Sequence, residues 1–150
     1  MSVLDVRTAS PEAYGAMAAL SEVAQRGLDP ELAALVKLRV SQVNGCGFCV
    51  DMHAAEARAA GVHARKLDGL AAWRRTPFFD EAERHALALA EEVTTATHHA
   101  GPERALRAAS GHFDAATLAS LLWTISAVNA WNRIATATET VPAPLAPVPA

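Results

Sequence analysis

The stretch from residue 10 to residue 138 consists almost entirely of helix-forming segments, and this feature constrains the fold most. Alanine, leucine, glutamate and arginine dominate it, and apolar side chains recur at three- and four-residue steps rather than at every second position. Leu32, Leu35 and Val36, for example, would share one face of a helix. We therefore expect an all-α domain of about six to seven helices over residues 1–138.

Local signals mark where these helices begin and end. Ser10-Pro11 and Asp29-Pro30 are starting signals, and Asp80 with Glu83 has the spacing of a capping box. Glycines at 45 and 61 are stopping signals. The expected helices run from Pro11 to about Gln25, from Pro30 to Asn44, from Cys46 to Ala60, from His63 to about Arg74, from Asp80 to about Ala96, from Pro102 onward, and from about Asp114 to Thr138.

Length, charge and chain ends narrow the class of protein. The 150 residues suit one domain, followed by a proline-rich tail over residues 139–150. A net charge of −3 without a Lys/Arg cluster argues against a nucleic-acid partner. No apolar run approaches the roughly 18 residues of a membrane span, and residues 1–7 lack the pattern of a secretory signal. We expect a cytoplasmic protein without a membrane partner.

Eight residues, Cys46 to His53, contain both cysteines and one of the six histidines. On a helix, the spacings of three and four residues place Cys46, Cys49 and His53 on one stripe. The thiolate is the reactive form of cysteine, and a helix N-terminus or a nearby imidazole favours it. Proximity to His53 favours Cys49 as the nucleophile, whereas proximity to the helix N-terminus favours Cys46. The pattern indicates a redox dithiol.

A metal site and a pair of inert thiols are alternative interpretations of the motif. A zinc ion bound by both thiols and His53 would need a fourth ligand, and the chain offers only isolated histidines and no second C-x-x-C. The thiols could also be buried and unreactive. We expect neither a metal nor a cofactor. The remaining histidines are interpreted as surface or helix-end residues: His63, His85, His98, His99 and His112.

The segment 38–53, LRVSQVNGCGFCVDMH, resembles the core of the AhpD-like alkylhydroperoxidases of the carboxymuconolactone decarboxylase superfamily. The similarity extends to residues 72–74, 83–91 and 129–133, and covers most of residues 20–135. The resemblance implies a helical fold that assembles into trimers or hexamers. It also implies a thiol-dependent alkyl hydroperoxide reductase, with an organic hydroperoxide as substrate and an external dithiol or disulfide reductant. Cys49 would be the peroxidatic cysteine, Cys46 the resolving one and His53 their catalytic partner.

The chain departs from the family pattern at two positions. Ala34 replaces the glutamate of the family's proton relay, twelve residues before the first cysteine, and Phe48 stands where a histidine can lie between the cysteines. Glu31, on nearly the same helix face as Ala34, is a candidate catalytic substitute. Glu56 has the spacing to orient His53, but we interpret it as a solvated charge on the helix surface.

Two alternative functions are also compatible with the sequence. In the first, the dithiol exchanges electrons with disulfides, as a non-peroxidatic oxidoreductase or redox sensor, and does not consume peroxide. In the second, the chain is a lactone decarboxylase like other branches of the superfamily. Lactone decarboxylation does not need the cysteines.

Overall fold

The computed structural model describes residues 4–96 and 100–145, and this part of the chain is helical, with no strand. The all-α prediction is confirmed, although the described residues form eight α-helices and one 3-10 helix rather than six to seven helices. They are α1 (Val6–Ala9), α2 (Pro11–Gln25), α3 (Pro30–Asn44), α4 (Gly47–Ala59), α5 (Ala64–Gly69), the 3-10 helix (Leu70–Arg75), α6 (Glu81–Thr95), α7 (Gly101–Ala109) and α8 (Ala115–Ala137). His98, His99, Pro147 and Pro149 lie outside the described residues.

The helix starts follow the capping signals in the sequence. The carboxylate of Asp29 accepts a hydrogen bond from the Leu32 N–H at 3.0 Å, which satisfies one free donor at the start of α3. Asp80 and Glu83 make both hydrogen bonds of a capping box at the start of α6. At the start of α8 the carboxylate of Asp114 accepts a hydrogen bond from the Thr117 N–H. The predicted boundaries of these three helices are therefore confirmed to within about two residues.

Two elements differ from the expectation. α1 was not predicted; it is a single turn that begins at Asp5, whose carboxylate accepts two backbone N–H groups. The single helix expected from His63 to Arg74 is divided into α5 and the 3-10 helix, with Ala72 outside the helical conformation. The side chain of Arg84 donates to backbone carbonyls at the end of this segment, those of Trp73, Thr76 and Phe79. These hydrogen bonds from α6 support the ending that we expected near Arg74.

The core lies on both sides of α3, which packs against α4, α6 and α8. One apolar cluster fills the space between α3, α6 and α8, with Val36, Val40, Leu89, Leu121 and Ile125 at its centre. The other lies between α3, α4 and the 3-10 helix, and includes Leu35, Leu38, Ala57, Leu70 and Leu87. A truncation such as Leu35→Ala is expected to cost about 2–5 kcal/mol, because Leu35 is completely buried. The burial of α3 makes it a rigid support for the segment that follows.

The chain turns from α3 into α4 through Gly45, which adopts a left-handed conformation (φ +67°). The N–H groups of Gly45 and Cys46 donate to the carbonyls of Gln42 and Ser41, the pair of bonds that commonly closes a helix at glycine. A side chain at position 45 would strain the backbone, by roughly 1–2 kcal/mol. This turn places Cys46 at the start of α4.

Asn44, the last residue of α3, is held by the long helix α8. Its Nδ2 donates to Oδ1 of both Asn129 and Asn132 at 2.9 Å. Asn132 in turn donates to Ser41 Oγ, so α8 is hydrogen-bonded to two residues in the last turn of α3. These side chains are largely buried, and a buried polar group is costly unless it is hydrogen-bonded. The network fixes the turn before the cysteines against the core.

Candidate active site

Both cysteines lie at the N-terminal end of α4. Cys46 immediately precedes the helix, and its Sγ accepts a hydrogen bond from the Cys49 backbone N–H at 3.3 Å. The two side chains are joined as a disulfide, with a Cα–Cα distance of 5.3 Å. Both residues are almost completely buried. An oxidant must therefore be small enough to enter the site, or bring only a narrow part of itself to the sulfur.

His53 lies one helical turn after Cys49 on the same side of α4 and is buried. Its Nδ1 is 2.7 Å from Oε2 of Glu56. Because a carboxylate only accepts hydrogen bonds, Nδ1 carries the proton and donates it to Glu56. Nε2 has no hydrogen-bond partner in the part of the chain that the structure describes. In the tautomer that donates from Nδ1 to Glu56, Nε2 is the ring nitrogen that can accept a proton.

Glu56 links His53 to the neighbouring helices. Lys37 of α3 donates from Nζ to Glu56 Oε2 and to Gln25 Oε1 of α2, both at 2.9 Å. The hydrogen bond from His53 is the main cause that lowers the pKa of Glu56 to about 2; partial burial opposes it and Lys37 adds to it. The interpretation of Glu56 as a merely solvated charge is therefore wrong, although 43% of its side chain is exposed. The ionised carboxylate holds the ring of His53 in one orientation.

A cavity of about 630 Å³ opens beside Cys49 and His53, a volume typical of small-molecule sites. Cys49 lines it and Cys46 does not. Apolar and aromatic side chains from α1, α2, α4 and α8 form most of the wall: Leu4, Val6, Tyr14, Ala18, Phe48, Met52, Val128, Trp131, Ile134 and Ala135. Asp5, Arg7, Thr138 and Thr140 complete it. Cys49 is thus the sulfur that faces a ligand.

The aromatic part of this wall joins α2 to α8. Tyr14 and Trp131 meet edge to face, with ring centroids 5.0 Å apart. The indole N–H of Trp131 donates to Ser21 Oγ at 2.8 Å, which fixes the ring. Trp131 forms a wall of the cavity, Trp73 is buried in the second apolar cluster, and Trp123 is 57% exposed.

The structure brings Cys46, Cys49 and His53 together but leaves Glu31 elsewhere. Glu31 is in the first turn of α3, roughly 20 Å along the helix axis from its C-terminal end. Its carboxylate lies near Gly61, beyond the opposite end of α4 from the cysteines. Glu31 is therefore misplaced for the catalytic substitution that we expected of it. The carboxylate that contacts the motif histidine is that of Glu56.

The remaining histidines of the described residues are remote from the thiols. His63 caps α5, and the rings of His85 and His112 stack with centroids 4.2 Å apart. Within residues 4–96 and 100–145, no three His, Cys, Asp or Glu side chains are grouped so that they could hold a metal ion. None of the described helices combines the length and apolar character needed to cross a membrane.

Several residues of the site carried no clear signal in the sequence. Lys37 is nineteen positions from Glu56, and only the packing of α3 on α4 brings their side chains together. Tyr14 and Trp131 likewise come from opposite ends of the chain. Glu56 did carry a signal, since a residue three positions after His53 lies next to it on a helix.

Comparison with known proteins agrees with this arrangement. The model of the carboxymuconolactone decarboxylase family matches residues 11–92, which include both cysteines and His53. The chain is 34% identical to the uncharacterized protein YdfG of Bacillus subtilis (strain 168) over 113 residues, 75% of this chain and 77% of YdfG. It is 33% identical to the uncharacterized protein YnjA of Escherichia coli (strain K12) over 112 residues, 75% of this chain and 61% of YnjA.

A solved structure resembles nearly the whole molecule. It is the Agrobacterium tumefaciens protein ATU0492, described as a protein of unknown function and a proposed antioxidant defence protein AhpD. Its TM-score is 0.89 at 34% sequence identity, and the match covers 96% of this chain and 100% of that chain. The shared fold includes the helices that carry and support the two cysteines. The chain belongs to the carboxymuconolactone decarboxylase family and is an AhpD-like member of it.

Proposed function

We propose that the protein is a thiol-dependent alkyl hydroperoxide reductase that uses the Cys46 and Cys49 pair. The observation that carries the proposal is the position of Cys49, which lines an apolar cavity together with His53. A small organic hydroperoxide can enter such a cavity and meet the Cys49 sulfur, which is otherwise almost completely buried. The family relationship supports the same chemistry.

The cycle begins with the reduced dithiol. His53 accepts the Cys49 proton at Nε2, and the thiolate attacks the distal peroxide oxygen of ROOH. The O–O bond breaks, the alkoxide takes a proton from His53 and leaves as ROH, and Cys49 becomes a sulfenic acid. The Cys46 thiol then attacks the Cys49 sulfur, which releases water and forms the disulfide. An external dithiol returns two electrons and two protons and is itself oxidised to a disulfide.

The two cysteines differ in the way that this cycle requires. Cys49 faces the cavity, so a peroxide or a reducing thiol meets its sulfur first. Cys46 Sγ accepts the Cys49 backbone N–H at the N-terminus of α4, where a negative charge is favoured. When a reducing thiolate attacks the Cys49 sulfur, Cys46 is thus the better-stabilised leaving thiolate. This arrangement supports Cys49 as peroxidatic and Cys46 as resolving.

The test is a count of free thiols with the intact mass of reduced protein, before and after one equivalent of an organic hydroperoxide. We expect loss of both thiols and of two hydrogens. Cys49→Ser should react no faster than a surface thiol, whereas Cys46→Ser should be oxidised once and stop at the sulfenic acid. Full activity in both variants would contradict the assignment.

The same assay separates the alternative functions. Untouched thiols in peroxide, together with rapid reaction with a small disulfide, would select a non-peroxidatic oxidoreductase. Lactone decarboxylation that survives replacement of both cysteines would select the other branch of the superfamily. A zinc site predicts a bound metal in the reduced protein, and inert thiols predict no reaction with either oxidant.

We also propose that the protein assembles into a trimer or hexamer in the cytoplasm. Three of the exposed large apolar residues, Leu20, Val23 and Trp123, belong to the packed helices α2 and α8. An interface between copies would remove these side chains from water. The mass of the particle measured by light scattering tests this, and replacement of Trp123 by glutamate should reduce that mass.

A further inference from the structure

The cavity beside Cys49 has a charged end as well as an apolar body. Arg7 of α1 lines it, and its guanidinium lies 5.9 Å from the ring centroid of Tyr14, also in the wall. Within the described residues, Arg7 has no carboxylate within ion-pair distance. Arginine is permanently charged and binds carboxylates and phosphates through paired N–H groups. The cavity wall therefore carries a cation that has no ion-pair partner among residues 4–96 and 100–145.

Asp5 is the acidic residue beside this cation, but its carboxylate is already occupied. It accepts hydrogen bonds from the Arg7 and Thr8 backbone N–H groups, at 3.0 and 3.3 Å, and from Thr8 Oγ1 at 2.7 Å. The bond from the Thr8 side chain is the main cause that lowers the pKa of Asp5, and the charge of Arg7 contributes least. These bonds direct the carboxylate toward its own helix turn. The guanidinium of Arg7 makes none of them, so it remains available to a ligand.

We propose that the cavity binds amphipathic organic hydroperoxides that carry a carboxylate, the class to which fatty acid hydroperoxides belong. The carboxylate would meet Arg7, the hydrocarbon chain would contact Tyr14, Met52 and Trp131, and the peroxide group would reach Cys49. Burial of the chain against apolar side chains provides affinity, and the charge at one end fixes its direction. This inference rests on the proposed function for its peroxide step, but not for its binding step.

The chemical step is the one already described, with the fatty acid hydroperoxide as ROOH. The distal oxygen passes to Cys49, and the hydroxy fatty acid leaves with its carboxylate unchanged. Arg7 takes part in no bond making or breaking. It is a binding residue that selects the anionic substrate.

The test compares a medium-chain fatty acid hydroperoxide with its uncharged methyl ester, both below the concentration at which they form micelles. The rate of thiol loss in wild-type protein should be about tenfold higher with the acid, as expected for one charge-assisted hydrogen bond, and the preference should weaken with salt. Arg7→Gln should remove the preference, because it should slow the reaction with the acid about tenfold more than the reactions with the ester and with tert-butyl hydroperoxide. Arg7→Lys should keep part of it.

The control is Arg26→Gln, which removes an exposed arginine of an ion pair on the surface of α2. It should leave the preference intact. Equal wild-type rates with acid and ester would overturn the inference. So would an Arg7→Gln variant that slows both substrates alike, because Arg7 would then act only on the fold.

A binding measurement keeps this inference separable from the peroxidase proposal. Calorimetric titration of the disulfide form with the parent fatty acid, which has no peroxide group, should show binding that Arg7→Gln weakens about tenfold. Binding without any thiol oxidation by peroxides would refute the proposed function and retain the anionic site. Peroxide oxidation with no binding of the acid would refute the anionic site and retain the function.

Discussion

Glu56 on α4 and Glu91 on α6 are carboxylates that each accept hydrogen bonds from more than one side chain. Glu56 accepts hydrogen bonds from His53 and Lys37, and its side chain is 43% exposed. Glu91 is only 15% exposed and joins three elements. Its donors are Arg39, Trp73 and Arg74. Both carboxylates are therefore ionised centres that hold helices together.

The pKa of each group is lowered, but for different reasons. For Glu56 the hydrogen bond from His53 is the main cause. For Glu91, burial raises the pKa, and the hydrogen bonds from Trp73, Arg74 and Arg39 outweigh it. The donors to Glu91 keep their protons at every physiological pH, whereas His53 can gain and lose one and faces a cavity. Both carboxylates are ionised, so their partners make the difference: Glu56 contacts a histidine that lines the cavity, whereas Glu91 contacts groups that do not exchange protons.

Glu56→Gln should slow the reaction more than any other change to these two carboxylates. The amide can still accept the Nδ1 proton, but it no longer stabilises a charged ring after His53 has taken a proton from Cys49. Loss of a group that orients a histidine costs metal sites about 10- to 100-fold, and we expect a similar slowing of thiol oxidation by peroxide. Rapid-mixing measurements of thiol loss would show it. An unchanged rate would make Glu56 a surface charge after all.

Glu91→Gln should destabilise the fold without slowing the reaction. It places an amide N–H among donors and leaves the largely buried Arg39 without its charge partner, which should lower the free energy of unfolding by about 2 kcal/mol. Urea unfolding would show a lower midpoint with an unchanged slope. The rate of thiol oxidation in the folded protein should stay at the wild-type value; a slowing like that of Glu56→Gln would remove the distinction between the two carboxylates.

Acid unfolding tests the pairing of Glu56 with His53 independently of the reaction. The pKa of Glu56 is lowered from 4.5 to about 2, so its ionised form stabilises the fold above pH 4.5, and this stabilisation is lost as the pH falls from 4.5 towards 2. Solvent screening limits the effect to about 1 kcal/mol. The stability difference between wild type and Glu56→Gln, followed by urea unfolding, should therefore shrink over that range. A difference that is constant with pH would contradict the pairing with His53.

Lys37→Met should change the reaction least. It removes the second donor to Glu56 and lets the pKa of that carboxylate rise part of the way to its ordinary value. We expect thiol oxidation to slow by no more than about fivefold, as for other partly exposed ion pairs. Arg26→Met, which breaks an exposed pair on α2, is the matched control and should not change the rate. A loss as large as that of Glu56→Gln would mean that Lys37 acts directly on the site.

The features that sequence reasoning found are those in which the interacting groups are close along the chain. Asp29, Asp80 and Asp114 each bond a backbone N–H three residues later, so the signal and its target lie in one helical turn. The same applies to Cys46, Cys49 and His53, which are placed on one side of α4 by spacing alone. The all-α class followed from the same local periodicity.

The errors arose where distant parts of the chain decide local structure. The division of the segment after Gly69 was not predicted from the local pattern, and Arg84 of α6 bonds carbonyls at the end of that segment, five to eleven residues earlier. Glu31 was chosen for its helix face beside Ala34; its carboxylate lies near Gly61, and Glu56 is the carboxylate that contacts His53. Glu56 was set aside because its pattern alone fits a solvated charge as well as a partner of His53.

The longer helices, the caps at Asp29, Asp80 and Asp114 and the reactive triplet were readable from the amino-acid order, because each depends on spacings within a turn or two of one helix. The surroundings of the triplet depend instead on how the helices pack. The packing of α3 on α4 brings Lys37 to Glu56, and the contact of α2 with α8 brings Tyr14 to Trp131. Those contacts join residues far apart in the chain and form only when apolar helix faces are buried together, so no local pattern encodes them.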